Sequence, residues 1–303
     1  MAGALFTCPL DVVKTRLQSD FYKNHVIMSN NYSALSPARK AIAHFSDTIQ
    51  ILRSVYKQEG SRALFKGLGP NLVGVIPARS INFFTYGVGK EFISSRFNNG
   101  QESTWVHLLA AINAGFFTST ATNPIWLIKT RLQLDKSEGG VKQYKNSLDC
   151  LVKVIKAEGA KGLYKGLSAS YLGSAESTIQ WVLYEQMKSF IRQKEIARQQ
   201  AGVKASAVDK FFEWAAQSGA AGMAKLLASM ITYPHEVVRT RLRQAPLGDG
   251  KPKYTGLIQC FRLVIAEEGF WSMYGGLTPH LLRTVPNSII MFGTFELIVK
   301  LFS

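Results

Sequence analysis

The residues of this chain best placed to do chemistry are charged, and they come in a repeated string. Pro9-Leu-Asp-Val-Val-Lys-Thr-Arg-Leu-Gln18 returns as Pro124-Ile-Trp-Leu-Ile-Lys-Thr-Arg-Leu-Gln133 and as Pro234-His-Glu-Val-Val-Arg-Thr-Arg-Leu-Arg243. A proline inside a long helix removes a backbone hydrogen bond and bends the helix, and the acid and base that follow it lie on one side. Three such bent helices around a threefold axis would converge. They would gather the carboxylates Asp11 and Glu236 and the cations Lys14, Lys129 and Arg239 into a ring. A charge at membrane depth is costly unless paired or wet, so a ring of this kind lines a water path and closes it by pairing. The chemistry implied is reversible ion pairing, a gate.

The elements that position these residues follow the same period. The leading prolines are 115 and 110 residues apart, and Glu59-Gly60, Glu158-Gly159 and Glu268-Gly269 keep step with them. Phe65-Lys66-Gly67, Tyr164-Lys165-Gly166 and Tyr274-Gly275-Gly276 complete each unit. Two unrelated motifs on one period mark an internal repeat. The first unit holds about sixteen extra residues, which the polar stretch 21–46 absorbs as a loop insertion. Repeat boundaries fall at 1–98, 99–203 and 204–303 within a single domain.

Hydrophobic residues make up 47% of the chain, and the mixed apolar runs 105–134, 167–190, 211–242 and 277–303 exceed the roughly 20 residues that a bilayer span needs. These runs are rich in small residues such as Gly115, Ser119, Ser218, Gly219 and Gly222, which let membrane helices approach closely. The expected fold is an all-α membrane protein of six transmembrane helices in three tandem pseudo-threefold repeats. Short amphipathic helices carry the Glu-Gly landmarks between the two helices of each repeat. Only eight residues precede Pro9, so the first helix is expected to be truncated at Met1, with the natural chain starting further upstream. A soluble helical solenoid is the alternative, with shorter helices and more charged faces.

A formal net charge of +16 raises the possibility of a nucleic-acid binder. The basic residues instead sit beside membrane-length helix ends, and no nucleic-acid module is present, so no nucleic-acid partner is expected. Cys8, Cys150 and Cys260 have neither metal nor redox spacing and read as packing residues. No phosphate loop, nucleophile elbow or ligand cluster appears, so the chain is not expected to be an enzyme or to carry a metal or a cofactor.

The triplicated Pro-x-Asp/Glu-x-x-Lys/Arg-x-Lys/Arg string resembles the mitochondrial carrier family over essentially the whole chain. That resemblance implies a multi-pass transporter of the mitochondrial inner membrane, expected to be a monomer, with one substrate site at mid-depth and two gates that open in turn. On the matrix side it implies the pairs Asp11 with Lys129 and Glu236 with Lys14, braced by Gln18 and Gln133; Arg243 departs from the third brace. Trp126 stands where the third acid belongs and leaves Arg239 without its expected partner, although an indole face holds a cation by about 0.5–2 kcal/mol. Bulky packing is the other reading of Trp126. On the cytoplasmic side the family pattern maps onto Tyr86 with Lys90, Tyr184 with Glu185 and Lys188, and Phe295 with Glu296. Gly87 and Val299 break it, so only Glu296 with Lys90 survives. The matrix-closed state is then expected to dominate without substrate. Cardiolipin is implied at Lys66, Gly67, Lys165, Gly166, Gly275 and Gly276.

The family's contact points map seven residues beyond the turn glycines, onto Gly74, Gly173 and Arg283, with Val75 and Ser174 adjacent. The two glycines either leave room for a bulky ligand or serve helix packing, and Arg283 offers a planar fork suited to phosphate. Arg79 and Lys225 are further cations at depth, and Ser177 and Trp181 add hydrogen-bonding and stacking groups. Pro124-Ile-Trp126 resembles the branch that carries nucleotides and nucleotide-like cofactors. The wider string to Lys136, with Tyr184-Glu185-Gln-Met-Lys188, is similar to the fungal pyrimidine nucleotide carriers. The expected function is exchange of pyrimidine nucleotides and deoxynucleotides such as UTP, TTP and CTP by alternating access, with carriage of NAD, FAD or folate as the alternative.

Overall fold

In the computed structural model, the described residues are 2–20, 37–135, 143–200, 207–246 and 252–302. They form helices in a pattern that repeats three times. The proline-bearing helices are α1 (Ala2–Gln18), α4 (Thr104–Leu134) and α7 (Ala207–Arg243), with Pro9, Pro124 and Pro234 inside them. After each comes an amphipathic helix, α2 (Pro37–Glu59), α5 (Ser147–Gly162) or α8 (Leu257–Glu268), and then a second long helix, α3 (Leu68–Phe97), α6 (Leu167–Gln200) or α9 (Leu277–Phe302). Among the described residues there is no strand.

The turns between the short and long helices follow from backbone sterics. Gly60, Gly159 and Gly269 have φ between 70° and 81°, and so do Gly67, Gly166 and Gly276. Side chains disfavour that region, so a glycine pair at each corner lets the chain reverse twice within about seven residues. Gly159 breaks α5 internally for this reason. The stretch 21–46 is not all loop: α2 begins at Pro37, so 37–46 are helical, in keeping with their alanine-rich composition.

Three small cores anchor the short helices to the ends of the proline-bearing ones. Val13 packs with Ile51, Val55 and Ala63; Leu127 and Ile128 with Cys150 and Val154; Val237, Val238 and Leu242 with Tyr254, Cys260, Val264 and Met273. Val13, Ile128 and Val238 occupy the same place in their repeats, and burying each such side chain contributes ~1.5–3 kcal/mol. All three cysteines are buried, as packing residues should be. Burial pushes the thiols of Cys150 and Cys260, on the short helices, up to about 11 and about 12.

Among the described residues no helix is long and apolar enough to cross a membrane on hydropathy. Length is not what is missing, because α3, α4, α6 and α7 run for 30 to 37 residues, well over the roughly 20 required. Charged residues distributed along them, such as Lys225, Glu236 and Arg239 on α7, lower the average.

By contacts the chain divides into two units whose borders cut through helices. One comprises residues 1–174 and 233–279, and the other residues 175–232 and 280–303. The first holds the three proline strings and all three short helices.

Candidate functional site

Within the first unit the ends of α1, α4 and α7 meet. Lys129 Nζ lies 3.2 Å from Asp11 Oδ2 and 3.1 Å from Asn71 Oδ1, and Lys14 Nζ lies 2.6 Å from Glu236 Oε2. The side chains of these two ion pairs are between 7% and 16% exposed, so the pairs are shielded and unlike surface ion pairs, which contribute little. Arg239 is not left to the indole. It hydrogen-bonds to Glu236 one turn back on α7. The cation over Trp126 is Lys129, 5.5 Å from the ring centroid, because i and i+3 share a helix face. Trp126 Nε1 donates to Thr122 Oγ1 at 3.0 Å.

The brace positions tie neighbouring repeats together. Gln18 donates to the Tyr233 hydroxyl at 2.9 Å and accepts from Thr240 Oγ1 at 2.6 Å. Gln133 accepts from Thr15 Oγ1 at 2.8 Å. Arg243 reaches Asn123 Oδ1 at 2.8 Å and Ser170 Oγ at 2.9 Å, spanning from the third repeat to the second.

A second ring, which sequence reasoning missed, lies two residues beyond the bases of the first. Arg16, Arg131 and Arg241 each grip the Glu of their own Glu-Gly pair: Arg16 to Glu59 at 2.5 and 2.9 Å, Arg131 to Glu158 at 2.6 Å, Arg241 to Glu268 at 2.6 and 2.7 Å. Each also donates Nε, at 3.1 Å, to the backbone carbonyl at the brace position of the next repeat: Gln133, Arg243 and Gln18 respectively. The signal was present in the sequence, since an arginine seven residues after each proline and a glutamate before each turn share the period. Burial alone would raise the Glu59 carboxyl, but hydrogen bonds from Arg16 and Lys66 outweigh it and hold the group down to about 2. Glu158 is lowered by the same balance through Arg131 and Lys165.

The turn glycines sit against the first ring. A Cβ on Gly67 would lie 3.1 Å from the Lys129 carbonyl oxygen, on Gly166 3.2 Å from that of Arg239, and on Gly276 2.9 Å from that of Lys14. Each second long helix therefore starts on the gate base of the next repeat.

The candidate substrate residues fall in both units. In the first, the space beside Gly74 is not open: a Cβ there would be 2.9 Å from Ile125 Cγ2 and 3.5 Å from the Trp126 ring. At Gly173 it would be 3.2 Å from His235 Nε2. Here the glycines admit a neighbouring helix, the packing alternative. Val75 and Arg79 are exposed, and Ser174 packs where Gly115 leaves room, its Oγ 2.6 Å from the place a Cβ would take. In the second unit Ser177 and Trp181 are exposed and Arg283 is half-buried. Lys225 is paired at 2.6 Å with Glu176, which also accepts from Ser229 Oγ at 2.8 Å.

Comparison with known proteins bears on what this arrangement serves. Residues 1–97, 100–195 and 211–303 each match the family described as mitochondrial carrier protein. The chain belongs to that family. The mitochondrial pyrimidine nucleotide transporter RIM2 of Saccharomyces cerevisiae is 60% identical to it, over 100% of this chain and 83% of the relative. The mitochondrial carrier protein rim2 of Schizosaccharomyces pombe is 58% identical over 99% and 86%, and solute carrier family 25 member 36 of Mus musculus 43% identical over 99% and 93%. As a mitochondrial carrier the protein resides in the inner membrane, its three repeats supplying six membrane helices.

At the opposite end from the ion-pair rings, this carrier's Lys90 is held by Glu102 at 2.5 Å. Glu102 follows α3 in the link to α4 and was not foreseen as a partner. The Tyr86 hydroxyl lies 2.8 Å from His107 Nδ1. Lys188 stands 5.7 Å from the Tyr184 ring centroid, Tyr184 packs with Ala221 and Ala224, and Glu185 is exposed. The side chains of Phe295 and Glu296 lie outside the described residues. At the expected lipid positions, Lys66 is engaged by Glu59 at 2.9 Å and by the Asp135 carbonyl at 2.5 Å, and Lys165 by Glu158 at 2.6 Å. Both lysines therefore carry protein contacts in addition to any lipid role.

Proposed function

We propose that this carrier exchanges pyrimidine nucleotides and deoxynucleotides, UTP, TTP and CTP among them, across the mitochondrial inner membrane by alternating access, without chemical conversion of its cargo. The observation that carries the reading is 60% identity, over the full chain, to a relative named for pyrimidine nucleotide transport. Trp126 in Pro-Ile-Trp is consistent with it. Asp11, Lys14, Lys129, Glu236 and Arg239, braced by Gln18, Gln133 and Arg243, act as the matrix gate, with Trp126 steadying Lys129. Their pairing corresponds to a matrix-closed state. Arg283 meets the phosphates, Trp181 and Ser177 the base and sugar, and Lys225 and Arg79 add positive potential. Gly74 and Gly173 contact substrate only when the neighbouring helices move apart. Cardiolipin at the turn glycines and a monomeric carrier complete the proposal.

The test is uptake of labelled UTP, TTP, ATP, NAD and FAD into liposomes loaded with UTP, comparing wild type with Arg283→Ala. Uptake of UTP and TTP over the others, lost in the folded variant, is the expected result. Preference for NAD or FAD would overturn the pyrimidine assignment and favour the cofactor branch, and retained exchange in the variant would remove Arg283 from the site.

A further inference from the structure

The outer ring is threefold in layout but not in charge, and the exception is Asp20. At the first and second repeats a lysine before the turn glycine, Lys66 or Lys165, joins the arginine on its glutamate. At the third repeat that position is Gly275, and Ser272 Oγ takes the place on Glu268 at 2.6 Å. Arg241 instead receives a second carboxylate, from Asp20 at the end of the first repeat's proline string. The Tyr254 hydroxyl donates to Asp20 Oδ2 at 2.6 Å, and Lys253 Nζ stands 3.8 Å from it.

The residues equivalent to Asp20 do something else. Asp135, two residues beyond Gln133, accepts from the backbone amides of Gln143 and Tyr144 in its own repeat at 3.1 and 3.2 Å. Ala245 in the third repeat has no carboxylate. In the outer ring Arg16 and Lys66 reach from the first repeat to backbone carbonyls of the second, and Arg131 from the second to backbone carbonyls of the third. From the third to the first, Arg241 bonds both the Gln18 carbonyl and an ionised side chain. A hydrogen bond from an ionised donor is already roughly twice as strong as a neutral one, and the Asp20–Arg241 bond adds to it the attraction of two opposite charges. The Arg241 side chain is fully buried and that of Asp20 14% exposed, so solvent screens the pair little.

We propose that Asp20 is a latch on the matrix face: it makes the joint between the third and first repeats the last to part, so that the carrier opens to the matrix asymmetrically. This rests on the alternating-access reading above. Asp20 touches no substrate in this role. It positions α1 against α7.

The test places nitroxides pairwise at Gln50, Lys156 and Gln259, exposed positions on α2, α5 and α8, and reads distance distributions in liposomes with and without UTP. In Asp20→Asn the long-distance population of the Gln50–Gln259 pair should rise roughly tenfold. The Gln50–Lys156 and Lys156–Gln259 pairs should change less than about twofold, and Asp20→Glu should restore the wild-type distribution. An equal rise in all three pairs would show a general loosening and overturn the latch, as would no change in any. A single distance population in wild type under every condition would instead refute alternating access, whatever the substrate.

Discussion

Replacing Glu59 by glutamine removes one negative charge from a place where two cations depend on it. Arg16 is fully buried and Lys66 is 17% exposed, and both bond to this carboxylate. The Glu59 pKa falls from 4.5 to about 2 on folding, because the bonds from Arg16 and Lys66 overcome the opposing effect of burial. A depression of that size corresponds to about 3 kcal/mol of stabilisation of the charged form, and removing one partner of a buried pair typically costs 3–5 kcal/mol. At ~2 °C per kcal/mol for a large domain, Glu59→Gln should lower the unfolding midpoint by roughly 6 °C. Cys8, Cys150 and Cys260 provide the assay, because they are buried and their capture by a thiol-reactive dye reports unfolding. The sign of the pH dependence follows from the depressed pKa. Stabilisation by Glu59 is complete above about pH 4.5 and is lost as the pH falls from there towards about 2, so the gap between wild type and variant should be constant around neutrality. A midpoint within about 1 °C of wild type at neutral pH would refute the reasoning, since the carboxylate would then not be holding the two cations.

Gly67→Ala places a Cβ at φ 81°, 2.9 Å from Gln133 Cγ and 3.1 Å from the Lys129 carbonyl, so it should destabilise the folded carrier by more than about 1 kcal/mol in the same unfolding assay. An unshifted midpoint would mean that α3 does not press on the gate. Trp126→Leu keeps an apolar side chain but removes the ring beneath Lys129. Loosening the Asp11–Lys129 pair by about 0.5–1 kcal/mol should speed exchange roughly two- to fivefold, and unchanged exchange kinetics would return Trp126 to packing.

The sequence by itself determined the threefold plan, because a ten-residue string and a Glu-Gly landmark on one period leave little freedom in how the chain is organised. It gathered the charges of the inner ring, but which of them meet was implied by the family resemblance, and the structure pairs Asp11 with Lys129 and Lys14 with Glu236. The tertiary structure decided the rest, for a physical reason. An ion pair depends on distances of a few ångströms, and residues far apart in sequence reach those distances only through the packing of helix ends. Arg239 turned to Glu236 on its own helix, Lys225 found Glu176, Lys90 found Glu102, and Asp20 crossed to Arg241. Gly74 could equally have meant open space or close packing, because a glycine records only that a Cβ is absent. What fills the space is Ile125 and Trp126, on a neighbouring helix that no local pattern around Gly74 could have named.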